Sequence, residues 1–197
     1  MQSELKSRRA RIQYHEQTKA HAEAALWAMR TPEMVLSASF LVDTCQASQR
    51  WTYVPQRTTY DELVAAGIAD SIPNVEIRSR LANLYVGLES SNITQQEPMP
   101  FRDEIRRQMP HDVQRAIRDR CNDIYTFLNG LVYLELPETC EVGLDENLIA
   151  DAVDALGACD ALGKDLTRHI SILDSKLNSL RAWELPLRET IDVLKRE

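Results

Sequence analysis

Apolar residues recur along this chain at the three- and four-residue spacing of helical stripes. The most regular stripe lies near the C-terminus: Leu166, Ile170, Leu173, Leu177, Leu180, Glu184, Leu187, Ile191 and Leu194 keep one phase throughout. Pro186 falls inside this register, and an interior proline costs a helix about 3 kcal/mol. Because the phase survives on both sides, the spacing predicts one kinked helix. It would run back along the first helix and bring both chain ends to one pole. Residues 2–30 are nearly all helix formers. Their heptad positions read Leu5, Ile12, Lys19, Leu26 and Arg8, His15, Ala22, Met29, so only the second half offers a face to bury. Residues 1–15 are therefore expected to project as a stalk.

Thr31-Pro32 predicts a helix start, with threonine as cap and proline in the first turn, followed by the stripe Met34, Ala38, Leu41, Cys45 and Ser48. In "RTTYDELVAAGIADSIPN", Thr58 or Thr59 caps a short helix over about residues 59–66, and Gly67 supplies its left-handed stop. Asn74 caps the next helix, with Ile77, Leu81, Leu84 and Leu88 as its face. A short helix between two long ones makes a corner, with Tyr60 and Leu63 plugging it into the core. Residues 92–100 read as a loop. Pro110 restarts a helix faced by Val113, Ile117, Cys121, Ile124 and Leu128. "GLVYLELP" sounds β-like, but a single run without a partner reads as an extended connector. Asp145 caps a further helix through Leu148, Ile149, Ala152, Val153 and Leu156, and the glycines of "DALGACDALG" end it. The sum is an all-α fold over residues 1–197: one domain, a bundle of long helices with a corner, and little or no β-structure.

Composition narrows the function. A 197-residue chain that is 44% hydrophobic can build a core, and a net charge of −7 argues against a general nucleic-acid binder. No apolar run approaches the roughly 18 residues of a membrane span, and "MQSELKSRRARIQ" is too charged for a signal peptide. Between Glu135 and Asp165 nine acids face Lys164 alone, a local charge of −8 that carries the whole imbalance. The plain interpretation is a solvated face; the sharper one docks it on the Arg-rich segment Phe101–Arg120 or on a basic partner.

Candidate chemistry is sparse. His15 and His21 are six apart and lie on different helix faces, no serine or cysteine has a base beside it, and no glycine-rich phosphate loop exists. No catalytic residue, cofactor or metal is predicted. The four cysteines form no C-x-x-C. They read either as free thiols of a cytosolic protein or as disulfides of an oxidising compartment, in which case Cys121 and Cys140, 19 apart, are the better pair. Trp51, Tyr53, Arg57, Tyr60, Arg78 and Tyr85 gather near the corner, a mixture that suits either a pocket for a small ligand or partner, or core packing.

Several of these segments also carry a family likeness. A charged opening helix "QSELKSRRARIQYHEQ" leads to T-Y-D-E-L-x-x-x-G at Thr59, Tyr60, Asp61, Glu62, Leu63 and Gly67, and Glu76-Ile77-Arg78 opens the next helix. "IRRQMPHDVQRAIRDRC" and "LPETCEVGLDENLIADAV" follow. In these the chain resembles a bacterial family anchored by one N-terminal transmembrane helix, with an all-helical extracytoplasmic domain and no established activity. The resemblance implies a membrane span upstream of residue 1, a place on the periplasmic side of the inner membrane, and a distal head at residues 50–140. It also makes Cys121 and Cys140 equivalent to the two family cysteines, leaving Cys45 and Cys159 free or in a second bridge. The expected function is non-enzymatic sensing or binding of a partner or small ligand. The alternatives are a cytosolic adaptor using the acidic stretch and the Leu166–Leu194 seam, and an enzyme with a non-sequential site.

Overall fold

The computed structural model describes residues 1–31, 37–52, 58–67, 69, 72–128, 130–159 and 161–196, with the main chain alone at 58–60. Helix α1 (Gln2–Arg30) is the spine, antiparallel to α8 (Leu162–Ala182): Lys19 Nζ meets Asp174 at 2.7 Å, and further down Arg9 Nε meets Glu184 at 2.7 Å. The first half of α1 is no stalk. Ser7, Arg8, Arg11, Tyr14, His15 and Thr18 are buried, and Ala22, Ala25 and Ala28 continue the same stripe. Its spacing is helical but its residues are polar, so a search for apolar positions passes over it. Burial of these polar groups is supported by bonds: Arg8 Nη1 donates to Leu180 O at 3.1 Å, and Arg11 Nη2 reaches Glu4 at 2.9 Å. The alanines of the second half carry no long side chains, which suits close packing by α2 (Ala38–Ala47).

Helix α2 is capped by Ser37, whose Oγ accepts from Phe40 N at 3.2 Å, and Thr31 closes α1 instead of opening α2. The expected start at Pro32, and Met34, lie outside the described residues. The corner helix is present as α3 (Thr58–Ala65), stopped by Gly67 at φ 69°. It lies on the surface: Leu63 is half-buried and Val64 exposed. Helix α4 (Val75–Gln95) starts on Asn74, whose Oδ1 accepts from the amides of Glu76 and Ile77 at 3.0 and 3.3 Å. It takes up the first part of the predicted 92–100 loop. Helices α5 (Pro100–Gln108), α6 (His111–Cys121) and α7 (Glu146–Gly157, capped by Asp145) close the main core. The acids Glu135, Glu138, Glu141, Asp145, Glu146, Asp151 and Asp154 are exposed, a solvated face.

Two expectations give way. The stripe from Val113 does not run to Leu128. Helix α6 ends at Cys121, and Ile124–Leu128 (β1) pairs antiparallel with Leu131–Glu135 (β2) in a hairpin, Leu128 opposite Leu131. "GLVYLELP" therefore has a partner, the run immediately before it. At Ile124 and Leu128 the helical spacing from Cys121 coincides with period-two alternation, which makes the two patterns hard to separate. The C-terminal helix is two helices: α8 stops at Trp183 (φ −100°, ψ 0°) and α9 (Glu184–Leu194) follows. Pro186 sits in the first turn of α9, where its missing N–H has no intrahelical partner to lose. One interrupting residue barely shifts the phase, so the stripe reads through the break. Leu187 and Ile191 meet Leu84 of α4, with Met1 and Leu5 packed beside them, so the two ends of the chain do share a pole.

Candidate functional site

The broadest meeting of charged and aromatic side chains lies where α1, the end of α2, α5 and the hairpin converge. Tyr14 sits on the buried stripe of α1. Its ring meets that of Trp51 edge-on at 5.6 Å, and its hydroxyl donates to the Asp123 carboxylate at 3.3 and 3.4 Å. Asp123 is placed there by the end of α6 and the start of β1, and Cys121 just before it is bridged to Cys140, with Cα atoms 5.4 Å apart. Gln46 Nε2 donates to Cys121 O at 2.6 Å and ties this junction to α2.

Arg102, half-buried on α5, donates through Nη1 to Ser48 O at 2.6 Å, which fixes it against the end of α2 just before Arg50. Arg106 is one turn further along α5. Burial above all, and then the nearby charges of Arg106 and Arg50, pull the Arg102 pKa down, while Tyr14 and Asp123 oppose them. Burial raises the Asp123 carboxyl, against the pull of Tyr14 and Arg102. Tyr14 is pushed upward, first by burial and then by the Asp123 charge, so its phenol stays protonated and is no base. By contrast, Arg107 and Arg115 are neutralised within their own helices by Glu104 and Asp112. The arrangement is a group of arginines, one pinned by a backbone carbonyl, beside a tyrosine–carboxylate pair. Such a group can hold an anion.

Of the residues singled out from sequence, Trp51 belongs to this cluster and is buried with Tyr14, Tyr133, Leu134 and Leu136. Arg78 and Tyr85 are half-buried on α4. Gln95 of α4 meets His15 at 3.1 Å, and Arg78 lies 17 positions before it, about 25 Å of helix. Tyr53, Arg57 and the Tyr60 side chain lie outside the described residues. Cys45 and Cys159 are free, so no second bridge forms. Burial raises the Cys45 thiol despite the arginines around it, and burial followed by the Glu104 hydrogen bond raises that of Cys159. Neither thiol is poised as a nucleophile.

A second polar layer was also missed. Lys176, 1% exposed, donates to Gln95 O at 2.6 Å and to Glu97 O at 3.3 Å, capping the end of α4. Gln95 Nε2 donates to Lys176 O, which turns its Oε1 toward His15. On α8, His169 donates Nε2 to Ala47 O at 2.7 Å and stacks on Phe101. The sequence signal for the α1 members, Tyr14 and His15, was the 7-8-11-14-15-18 spacing. Arg102, Asp123 and Lys176 had none.

Two surface hollows are lined by described residues. One of about 350 Å³ lies between α1 and the hairpin, with Lys6, Arg9, Tyr133 and Glu135 in its wall. Another of about 300 Å³ lies between α1 and α9, walled by Leu5, Arg9, Arg188 and Asp192. Neither wall contains Ser, Cys or His. Among the described residues no group of three metal-ligating side chains occurs, and no helix is long and apolar enough to cross a membrane. No family model matches the chain, and no curated protein or solved structure is significantly similar to it.

Proposed function

We propose that this chain is a non-enzymatic extracytoplasmic domain of a membrane-anchored bacterial protein, and that it binds a small anionic ligand or an acidic partner group. The observation that carries the binding is Arg102, held by Ser48 O with the charges of Arg50 and Arg106 close by and the Tyr14–Asp123 pair beside it. Like charges gathered around a half-buried guanidinium repel, and an anion relieves the repulsion. The compartment draws support from the Cys121–Cys140 bridge, because such bonds persist in oxidising surroundings.

The cytosolic-adaptor alternative asked for an exposed C-terminal seam. Leu166, Leu173, Leu177, Leu180, Leu187 and Ile191 are instead buried within the chain, with Ile170 half-buried and Leu194 exposed. The test is a thermal-shift titration with inorganic phosphate and with succinate, on the wild type and on Arg102→Ala and Arg106→Ala. The expected result is a concentration-dependent rise in Tm for the wild type that both variants lose. A wild type indifferent to both anions, or variants that respond equally, defeats the proposal.

A further inference from the structure

Every residue of β1 is exposed, although the strand reads Ile-Tyr-Thr-Phe-Leu. Ile124 is 49%, Tyr125 53%, Phe127 76% and Leu128 38% exposed, and Val132, opposite Phe127 on β2, is 40% exposed. Tyr125, Phe127 and Val132 turn one apolar face to solvent, and Ile124 and Leu128 lie on the opposite face of the strand. The two-residue connection makes Leu128 and Leu131 a hydrogen-bonded pair, and alternation follows from there. Ile124, Thr126 and Leu128 turn their main-chain N–H and C=O groups toward β2. Tyr125 and Phe127 turn theirs to the open edge, and no main-chain hydrogen bond joins that edge to another described residue. Among the described residues the sheet has two strands, β2 lies against α1, and β1 is the outer side. The Cys121–Cys140 bridge clasps the root of the hairpin and holds this edge out as a preformed strand.

We infer that this edge pairs with the same edge of a second copy, giving a four-stranded antiparallel sheet β2-β1-β1-β2 with its two-fold axis at Thr126. The strand is suited to itself. An axis at Thr126 overlaps all five residues and sets Tyr125 opposite Phe127 of the other copy, twice, using the four outward main-chain groups of each strand. Tyr125, Phe127 and Val132 lie on one face of the sheet, so the two patches join into one aromatic cluster. Residues Ile124–Leu128 carry no charge, and the two Asp123 carboxylates fall six positions apart, about 20 Å. Pairing along the edge covers the outward main-chain groups and the facing flanks of the side chains, while the outer faces of the rings stay in water, so the interface is smaller than that of a stable complex. The dimer is accordingly a weak, reversible one. This inference uses neither the arginine cluster nor the compartment, so it stands or falls apart from the ligand-binding proposal.

The test combines sedimentation equilibrium with site-directed cross-linking. The wild-type chain is expected to pass from monomer to dimer as its concentration is raised, and Phe127→Lys to raise the dissociation constant at least tenfold with its circular dichroism unchanged. In a Cys159→Ser background, Thr126→Cys is expected to form a dimeric disulfide on mild oxidation, because residues at a non-hydrogen-bonded antiparallel pair bring their Cα atoms within disulfide reach. Tyr125→Cys, and Val86→Cys on the exposed side of α4, are expected to cross-link far less. A chain monomeric at every concentration overturns the inference, as does a dimer indifferent to Phe127→Lys. Equal cross-linking at Thr126 and Tyr125, or open-ended aggregation instead of a closed dimer, overturns it as well.

Discussion

Gly87 shows how a single atom sets the position of an element. A Cβ built there would overlap the Trp183 ring, and Trp183 is the residue between α8 and α9. The missing side chain lets the indole lie on α4 and fixes where α9 departs. Helix propensity alone favours Gly87→Ala by about 1 kcal/mol, whereas forcing the ring out costs roughly 1–3 kcal/mol. Urea denaturation is therefore expected to show a net loss of stability. A stabilised variant would mean that the ring has room to move. Nothing in the sequence marks this glycine, because the spacing shows only a gap in the α4 stripe; its reason is a residue 96 positions later. Arg8 and Lys176 teach the same lesson from the other side. Each has the charge of a surface residue, and each is buried because backbone carbonyls of a neighbouring helix meet it.

Among elements, the disulfide and the hairpin belong together. The bridge spans 19 positions and encloses the hairpin, so it restricts the unfolded chain across the stretch with the fewest helical bonds. In the chain-entropy account that restriction contributes about 3 kcal/mol. Thiol titration of unfolded, unreduced protein from an oxidising preparation is expected to find two reactive thiols, Cys45 and Cys159, and reduction to lower unfolding stability by about that amount. Four thiols would remove the bridge from the fold and weaken the extracytoplasmic reading. The hairpin itself was legible. Asn129-Gly130 between apolar runs is a strong short-range turn signal, and Gly130 adopts φ 75°. The helical stripe of α6 masked it because extrapolation outlasted the helix. The Asn74 and Asp145 caps and the Gly67 stop were read correctly, since each acts through neighbours in sequence.

For the whole molecule, buried histidines set the response to acid. Burial, with Lys176 next in weight, lowers His15 to about 4, and burial lowers His169 to about 4. Around His15 stand Arg11, Lys176, His169 and the opposing Gln95; around His169, Lys176 and the Ala47 carbonyl. Unfolded histidine titrates near 6.5, so between 6.5 and 4 the unfolded chain binds more protons and stability falls as the pH is lowered. Each histidine is worth on the order of 3 kcal/mol by pH 4. Lys176, lowered to about 8 chiefly by burial, works in the same direction at the alkaline end, where stability rises as pH climbs from 8 toward its unfolded value of 10.5. Denaturant titrations at pH 7, 5.5 and 4 are expected to show a steep acid loss that His169→Asn lessens. A flat profile between 6.5 and 4 contradicts the burial of both rings.

The sequence by itself determined the helical class, several helix starts and stops, and the solvated acidic face. Those depend on caps, turn residues and periodic burial that act within a few positions of the chain. Tertiary structure alone decided that the first half of α1 is core and that Arg102 and Asp123 stand beside Tyr14. A polar side chain is buried or solvated according to partners supplied by distant segments, such as Ser91, Gln95 and Leu180. No local pattern records where those partners will be.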